Sequence, residues 1–285
     1  MRKAFILALL TLAAMVPVTP SAHAVGGGFF SIKCDLSHRA HDDPIVFPGD
    51  EGAAHFHDFF ANRSTAFDST QRSMTRAETN CELSFDTSGY WTPALLDTNG
   101  DHVPVDKILV YYRSASDMKV RAFPGNLKIV AGGDTLDPPA PSRSQRSLSW
   151  ACGDTEPYTA SPPDCSGTGE NVTAHIHFPD CWNGEARDSD DHRSHMRFGT
   201  PECRRGWIAV PRLRLHIEYA VSNAEGYILS SDMPGMDDGQ SLHADFWNTW
   251  RDQAALKFLV RHCVNSGRSC SQVTDASLAG MGFEG

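Results

Sequence analysis

Apolar and polar residues alternate with a period of two through much of the chain, the pattern of strands that bury one face. Leu213 to Tyr219 shows it most cleanly, with Leu213, Leu215, Ile217 and Tyr219 predicted inward and Arg214, His216 and Glu218 outward. Phe30 to Cys34, Ser149 to Cys152 and Val172 to Phe178 read as further strands. Between Tyr90 and Val130, four short β-prone runs are separated by turn residues and predict an antiparallel meander: Tyr90 to Leu96, Lys107 to Tyr112, Lys119 to Phe123 and Leu127 to Val130. Asp97-Thr98-Asn99-Gly100-Asp101 joins the first two. Its spacing resembles the start of a calcium loop, but His102 stands where that loop needs glycine and Ile108 where it needs glutamate, so a hairpin turn explains it better.

Asn62 to Asn80 is polar and predicts a loop with one helical turn, and Gly132 to Arg146 is a Pro/Gly/Ser-rich connection. The period changes only near the end. Phe246 to Cys263 places Trp247, Trp250, Ala254, Leu256, Leu259 and Val260 at three- and four-residue spacings without proline or glycine, which predicts an amphipathic helix. The expected fold is therefore mainly β, an antiparallel sandwich or jelly-roll-like architecture with a C-terminal amphipathic helix. Residues 25–285 are expected to form a single domain, since the candidate site residues lie on both sides of the Gly132 to Arg146 connection.

Composition adds the compartment. Met1-Arg2-Lys3, the apolar run Ala4 to Val16 and the small-x-small triplet Ala22-His23-Ala24 have the form of an export signal, with cleavage expected near Ala24 and release outside the cell. No later stretch is apolar enough to enter a membrane. All eight cysteines follow that signal, and an even count in an exported chain reads as about four disulfides. Joining near neighbours gives Cys152–Cys165, Cys181–Cys203 and Cys263–Cys270, leaving Cys34–Cys81. The formal charge of −10 becomes −12 once Arg2 and Lys3 are removed with the signal, which argues against nucleic acid as a partner.

Three residue pairs carry the candidate chemistry. His55-Phe56-His57 and His175-Ile176-His177 each put two imidazoles on one face of an extended segment, and His243-Ala244-Asp245 gives a His/Asp version. Neutral imidazole is a common ligand for divalent transition metals, so His55, His57, His177, His243 and Asp245 are the expected ligands of one divalent metal ion. A purely structural reading has the histidines bonded to backbone and Asp245 capping the final helix. A second cluster runs from Phe178 through Trp182 to Asp188, Asp191, His192 and His195. Aromatic rings beside carboxylates suit a sugar-binding cleft, with Trp91, Trp182 and Asp58 as its expected substrate contacts. No Gly-x-Ser-x-Gly elbow, phosphate-binding glycine loop or His-Glu-x-x-His helix is present.

At these residues the chain resembles the DUF1996 family, a domain of unknown function of exported bacterial and fungal proteins. The matching pieces include Asp43-Pro44-Ile45-Val46, His55-Phe56-His57-Asp58-Phe59-Phe60, Tyr90-Trp91, His177-Phe178-Pro179-Asp180-Cys181-Trp182, Asp191-His192-Arg193-Ser194-His195 and His243-Ala244-Asp245-Phe246. Asn183 stands where the family usually has aspartate, and His175 falls outside the pattern, which promotes His192 and His195. The resemblance implies a shared site and names no reaction. Taken together, the residues point to action on an extracellular or cell-wall polysaccharide by hydrolysis or lyase chemistry, with His57, Tyr90, Asp191, His192 and His195 as the catalytic candidates. The competing expectation is a non-catalytic module that binds wall glycan or metal.

Overall fold

The computed structural model describes residues 27–114, 118–132, 147–199 and 202–284. The expected export signal lies outside them. Twelve strands in chain order build the two principal sheets: β1 (Phe29–Cys34), β2 (Leu36–Ala40), β3 (His57–Ala61), β4 (Gly89–Pro93), β5 (Val105–Arg113), β6 (Lys128–Gly132), β7 (Leu148–Cys152), β8 (Thr155–Thr159), β9 (Val172–His177), β10 (Arg212–Tyr219), β11 (His243–Trp247) and β12 (Ser269–Cys270). One sheet has seven strands in the order β12-β1-β5-β10-β9-β7-β8, and the other has five in the order β2-β3-β4-β11-β6. All pairings in them are antiparallel except β1 with β12. The fold is mainly β, as the alternation predicts.

Strand parity sorts the side chains into layers. Leu213, Leu215, Ile217 and Tyr219 on β10 join Ala174 and Ile176 on β9 and Val110 and Tyr112 on β5 in the main core. Phe60, Tyr90, Ile129 and Phe246 enter that same core from the five-stranded sheet. The residues between them, Phe59, Trp91, Val130 and Trp247, face the other way and form a second apolar cluster with Ile45 and Met74. Strands β3, β4 and β11 are therefore buried on both faces, a pattern that hides the alternation a one-sided sheet would show.

The meander expected between Tyr90 and Val130 does not form. β5 joins the seven-stranded sheet between β1 and β10, while β11 separates β4 from β6 in the other. Lys119 to Phe123 is not a strand. Local turn signals place the breaks, but the burial of each face decides the pairing, and that depends on residues far along the chain. The Asp97 turn does close as expected, with its carboxylate accepting from Asn99 and Asp101 N–H and Leu96 bridging His102.

The C-terminal helix also starts later than its pattern predicts. Phe246 and Trp247 stay in β11, paired on both sides, and the helix α2 (Gln253–Leu259) begins at Asp252, whose side chain accepts from Ala254 N–H. Asp245 is consequently a strand residue and caps nothing. α2 runs on into a π-helical turn, Val260–Val264, and the expected helical turn in the Asn62 to Asn80 loop is α1 (Gln71–Arg76). The four disulfides join Cys34–Cys81, Cys152–Cys165, Cys181–Cys203 and Cys263–Cys270. Among the described residues no helix is long and apolar enough to cross a membrane.

Candidate metal centre

The outer face of the five-stranded sheet carries the site. His57 opens β3, His243 and Asp245 alternate on β11, and the registers align Phe59, Trp91, Asp245 and Val130 across four strands. His55 lies just before β3, with its ring centroid 4.2 Å from that of His57 and 4.9 Å from that of His243. A cover closes over them. Asp42 accepts from Gly52 and Phe67 N–H, and Asp43 accepts from Ile45 and Val46 N–H at 2.9 Å, which folds the segment back and drives Ile45 into the Phe59–Trp91 cluster.

Two groupings of candidate ligands share His57: His55 with His57 and His243, and Asp43 with His57 and Asp245. In each, one donor atom from every residue lies within 4.8 Å of the others. The imidazoles are pre-oriented. His57 Nδ1–H donates to the Asp42 carbonyl at 2.9 Å and His243 Nδ1–H to the Ser241 carbonyl at 2.8 Å, so each neutral ring turns an unprotonated Nε2 towards the cluster. Backbone carbonyls hold metal-binding histidines in this manner. His55 Nε2 approaches His243 Nε2 at 3.2 Å. One shared proton satisfies that contact, and a divalent cation in its place would engage both lone pairs.

Electrostatics favour the same outcome. Burial and the neighbouring imidazole of His41 lower the pKa of His55 to about 4, and burial with His55 lowers that of His243 to about 3. His57 is pushed well below its usual value by burial and by His55 and His243. All three rings are neutral at neutral pH, the form that binds metals. Asp245 is completely buried, and both carboxylate oxygens lack a hydrogen-bond partner. Burial and the nearby Asp43 carboxylate push its pKa well up, with Arg193 opposing them. Asp43 is itself raised by burial, against the N–H groups of Val46 and Ile45. The Trp91 indole N–H lies close enough to Asp43 to favour its charge but outside hydrogen-bond geometry. A buried carboxylate is expensive to ionise without a counter-charge. Two carboxylates beside three neutral imidazoles would balance the charge of one divalent cation.

The other expected site residues lie elsewhere. His177 is on the outer face of the seven-stranded sheet, beside Arg214, Arg212, His216 and His175, and is not among these ligand groups. Its His-x-His spacing is the same as that of His55 and His57, but its strand belongs to the other sheet. Tyr90 follows the opposite parity from Trp91 and points into the core, where its hydroxyl meets Asp86 and Tyr112, each at 2.7 Å. Asp58 also faces inward and pairs with Arg39. Neither Tyr90 nor Asp58 reaches the candidate ligand cluster. Trp91 is fully buried as part of its wall, and Trp182 is 6 % exposed, donates to the Ala186 carbonyl and is covered by Arg187. No open aromatic platform is formed by either.

The loop bearing Asp191, His192 and His195 packs along the free edge of β6. His195 donates from Nε2 to the Lys128 carbonyl at 2.7 Å while Nδ1 meets the Ser189 hydroxyl at 2.8 Å, so both ring nitrogens are engaged in bracing the loop. Asp191 is exposed; the Ser189 hydroxyl and the N–H groups of Ser194 and Arg193 hold its pKa well below the carboxylate range. His192 bonds Asp188 at 2.8 Å and lies near enough to Asp43 to favour that carboxylate's charge. The loop thus brings His192 and Arg193 to the rim of the cluster.

Sequence reasoning missed Asp43 as a candidate ligand. Its signal was the Asp42-Asp43-Pro44 run at the start of the connection that leads into the first His pair. It also missed His216, which pairs across strands with His175 and, with Asp154, forms a further group of metal-ligand type on the seven-stranded sheet. There Arg214 donates to His175 Nδ1 at 3.0 Å, so a cation already occupies the direction a metal would take.

No curated protein and no solved structure matches the chain. The family model of DUF1996, a domain of unknown function, matches residues 43–250, a span that holds every candidate ligand of the cluster, and the chain belongs to that family.

Proposed function

We propose that the protein binds one divalent transition metal through His55, His57 and His243, with Asp43 and Asp245 supplying carboxylate ligands and charge balance. The observation that carries this reading is Asp245: a fully buried carboxylate with neither oxygen partnered, next to imidazole nitrogens held with their lone pairs inward. A mixed nitrogen and carboxylate set suits zinc, manganese or iron better than calcium, which prefers oxygen alone. The test is calorimetric titration of chelator-treated protein with zinc and with manganese. Tight one-to-one binding in the parent, lost in a folded His57→Ala variant, supports the centre; identical heats in the two contradict it.

A second reading gives the ion a catalytic task on an extracellular or cell-wall polysaccharide, as hydrolase or lyase. Its support is that His55 is the one half-exposed member of the cluster, which leaves an approach for a ligand on that side. Buried Trp91 and Trp182 weaken the sugar-stacking part of that reading. Shortening of a polysaccharide by metal-loaded parent and not by His57→Ala would establish it, and saturable binding with unchanged chain length would establish the non-catalytic module instead.

A further inference from the structure

The outer face of the seven-stranded sheet gathers positive charge in a chain whose formal charge is −10. Arg212 and Arg214 lie on β10 and Arg113 on the neighbouring β5. The register sets Arg212 on β10 directly opposite Arg113 on β5, and Arg214 between Tyr111 and His177 of its two neighbouring strands. Arg212 and Arg214 share a face about 7 Å apart at the usual strand rise. Like charges directly opposite each other destabilise an antiparallel pair, so this arrangement needs a counter-charge.

The protein supplies part of one. Arg212 Nη2 meets Asp180 at 2.9 Å, and Arg214 Nη2 stands 3.8 Å from Asp154, whose side chain is 59 % exposed and 2.7 Å from His216. Among the described residues no carboxylate lies within ion-pair range of Arg113. The Nε–H groups of Arg212 and Arg214 are buried without an acceptor. Burial and the charges of Arg214 and Arg212 lower the pKa of Arg113, and burial with the same two guanidinium groups lowers that of His177 to about 2. These groups are close enough to act on one ligand, and His177 offers a neutral ring beside them.

We propose that this face binds an oxyanion, a carboxylate, sulfate or phosphate group, through Arg113, Arg212 and Arg214, with His177 and Tyr111 at its borders. Planar guanidinium forks match such groups in pairs of hydrogen bonds. The site is separate from the metal cluster, which lies on the other sheet.

The test is thermal unfolding at low ionic strength with inorganic phosphate, sulfate, galacturonate or oligogalacturonate, and chloride as control. It is run in the Asp245→Asn background so that phosphate held by a metal does not contribute. Phosphate or sulfate should raise the melting temperature by several degrees with the three arginines intact. Arg113→Gln should melt higher than that background without added anion, because an opposed charge is gone, and should lose most of the anion response. Arg113→Lys keeps the charge without the fork, so it should melt like the background and also lose most of the response. Tighter binding of oligogalacturonate than of galacturonate would identify an acidic polymer as the source of the group, and equal binding a free ion. An equal anion response with and without Arg113, no response at all, or an Arg113→Gln variant that melts lower would overturn the proposal.

Discussion

Asp245→Asn separates a metal ligand from a structural carboxylate, because the two roles predict opposite signs. The substitution keeps the shape of the side chain and discards its charge. In chelator-treated protein the change relieves a buried carboxylate whose oxygens have no donors. The amide is left as unpartnered as the carboxyl, so the gain is one of charge. At about pH 5.5 the folded parent must protonate or bury a carboxylate whose unfolded pKa is about 3.9, at about 1.36 kcal/mol per pH unit, and the variant should be more stable than the parent by about 2 kcal/mol. For a chain of this size that is a rise of about 4–8 °C in melting temperature. Metal reverses the order. At a free concentration 100 times the dissociation constant, a ligand that binds only the folded state adds about 2.7 kcal/mol, or about 5–11 °C. The parent should gain that increment with zinc or manganese, and Asp245→Asn should gain little. The assay is differential scanning calorimetry of both proteins with chelator and with metal. An asparagine variant that is destabilised with chelator, and gains as much from metal as the parent, would refute the reasoning.

Other substitutions read the remaining parts. His177→Ala should leave metal stoichiometry unchanged, measured beside His57→Ala, because His177 lies on the other sheet. Asp86 is fully buried under Tyr90, and its pKa is raised to about 6 by burial. Its protonated form is favoured by folding, so its contribution is fully present below about pH 4 and is lost as pH rises through 6. The total is about 3 kcal/mol on an order-of-magnitude basis. Asp86→Asn should therefore gain on the parent between pH 4 and pH 7 in urea unfolding; a difference independent of pH would contradict the burial argument. Removing Cys34–Cys81, which spans 47 residues, should cost more than removing Cys263–Cys270, which spans 7. The loop-entropy difference is about 1.7 kcal/mol, read as the spacing of the two variants' unfolding free energies.

Parity along each strand was legible in the sequence; partnership between strands was not. Leu213 to Tyr219 forms the predicted strand with the predicted inward residues, because strict alternation registers a single buried face. Tyr90 and Trp91 show the limit: adjacent residues in a strand must part company, yet nothing local says which of them faces a site when both faces are buried. His55, His57, His243 and Asp245 were singled out by spacing alone, and the structure places them together because β3 and β11 flank β4. The same spacing in His175 and His177 leads to a different sheet. Trp247 fitted a helical pattern as well as a strand pattern, and cross-strand pairing with Gly89 and Lys128 settles it as strand. Asp43 escaped notice because its role depends on a cover that folds back over residues further along.

The most direct test of the metal centre is the metal content of untagged protein, purified without chelator and measured by plasma mass spectrometry beside a His55→Ala/His57→Ala variant. The metal reading predicts close to one equivalent of a single transition metal in the parent and none in the variant, with matching circular dichroism spectra. A parent that carries no metal after supplementation with zinc, manganese, iron and copper, or a folded variant that retains the parent's content, would contradict it.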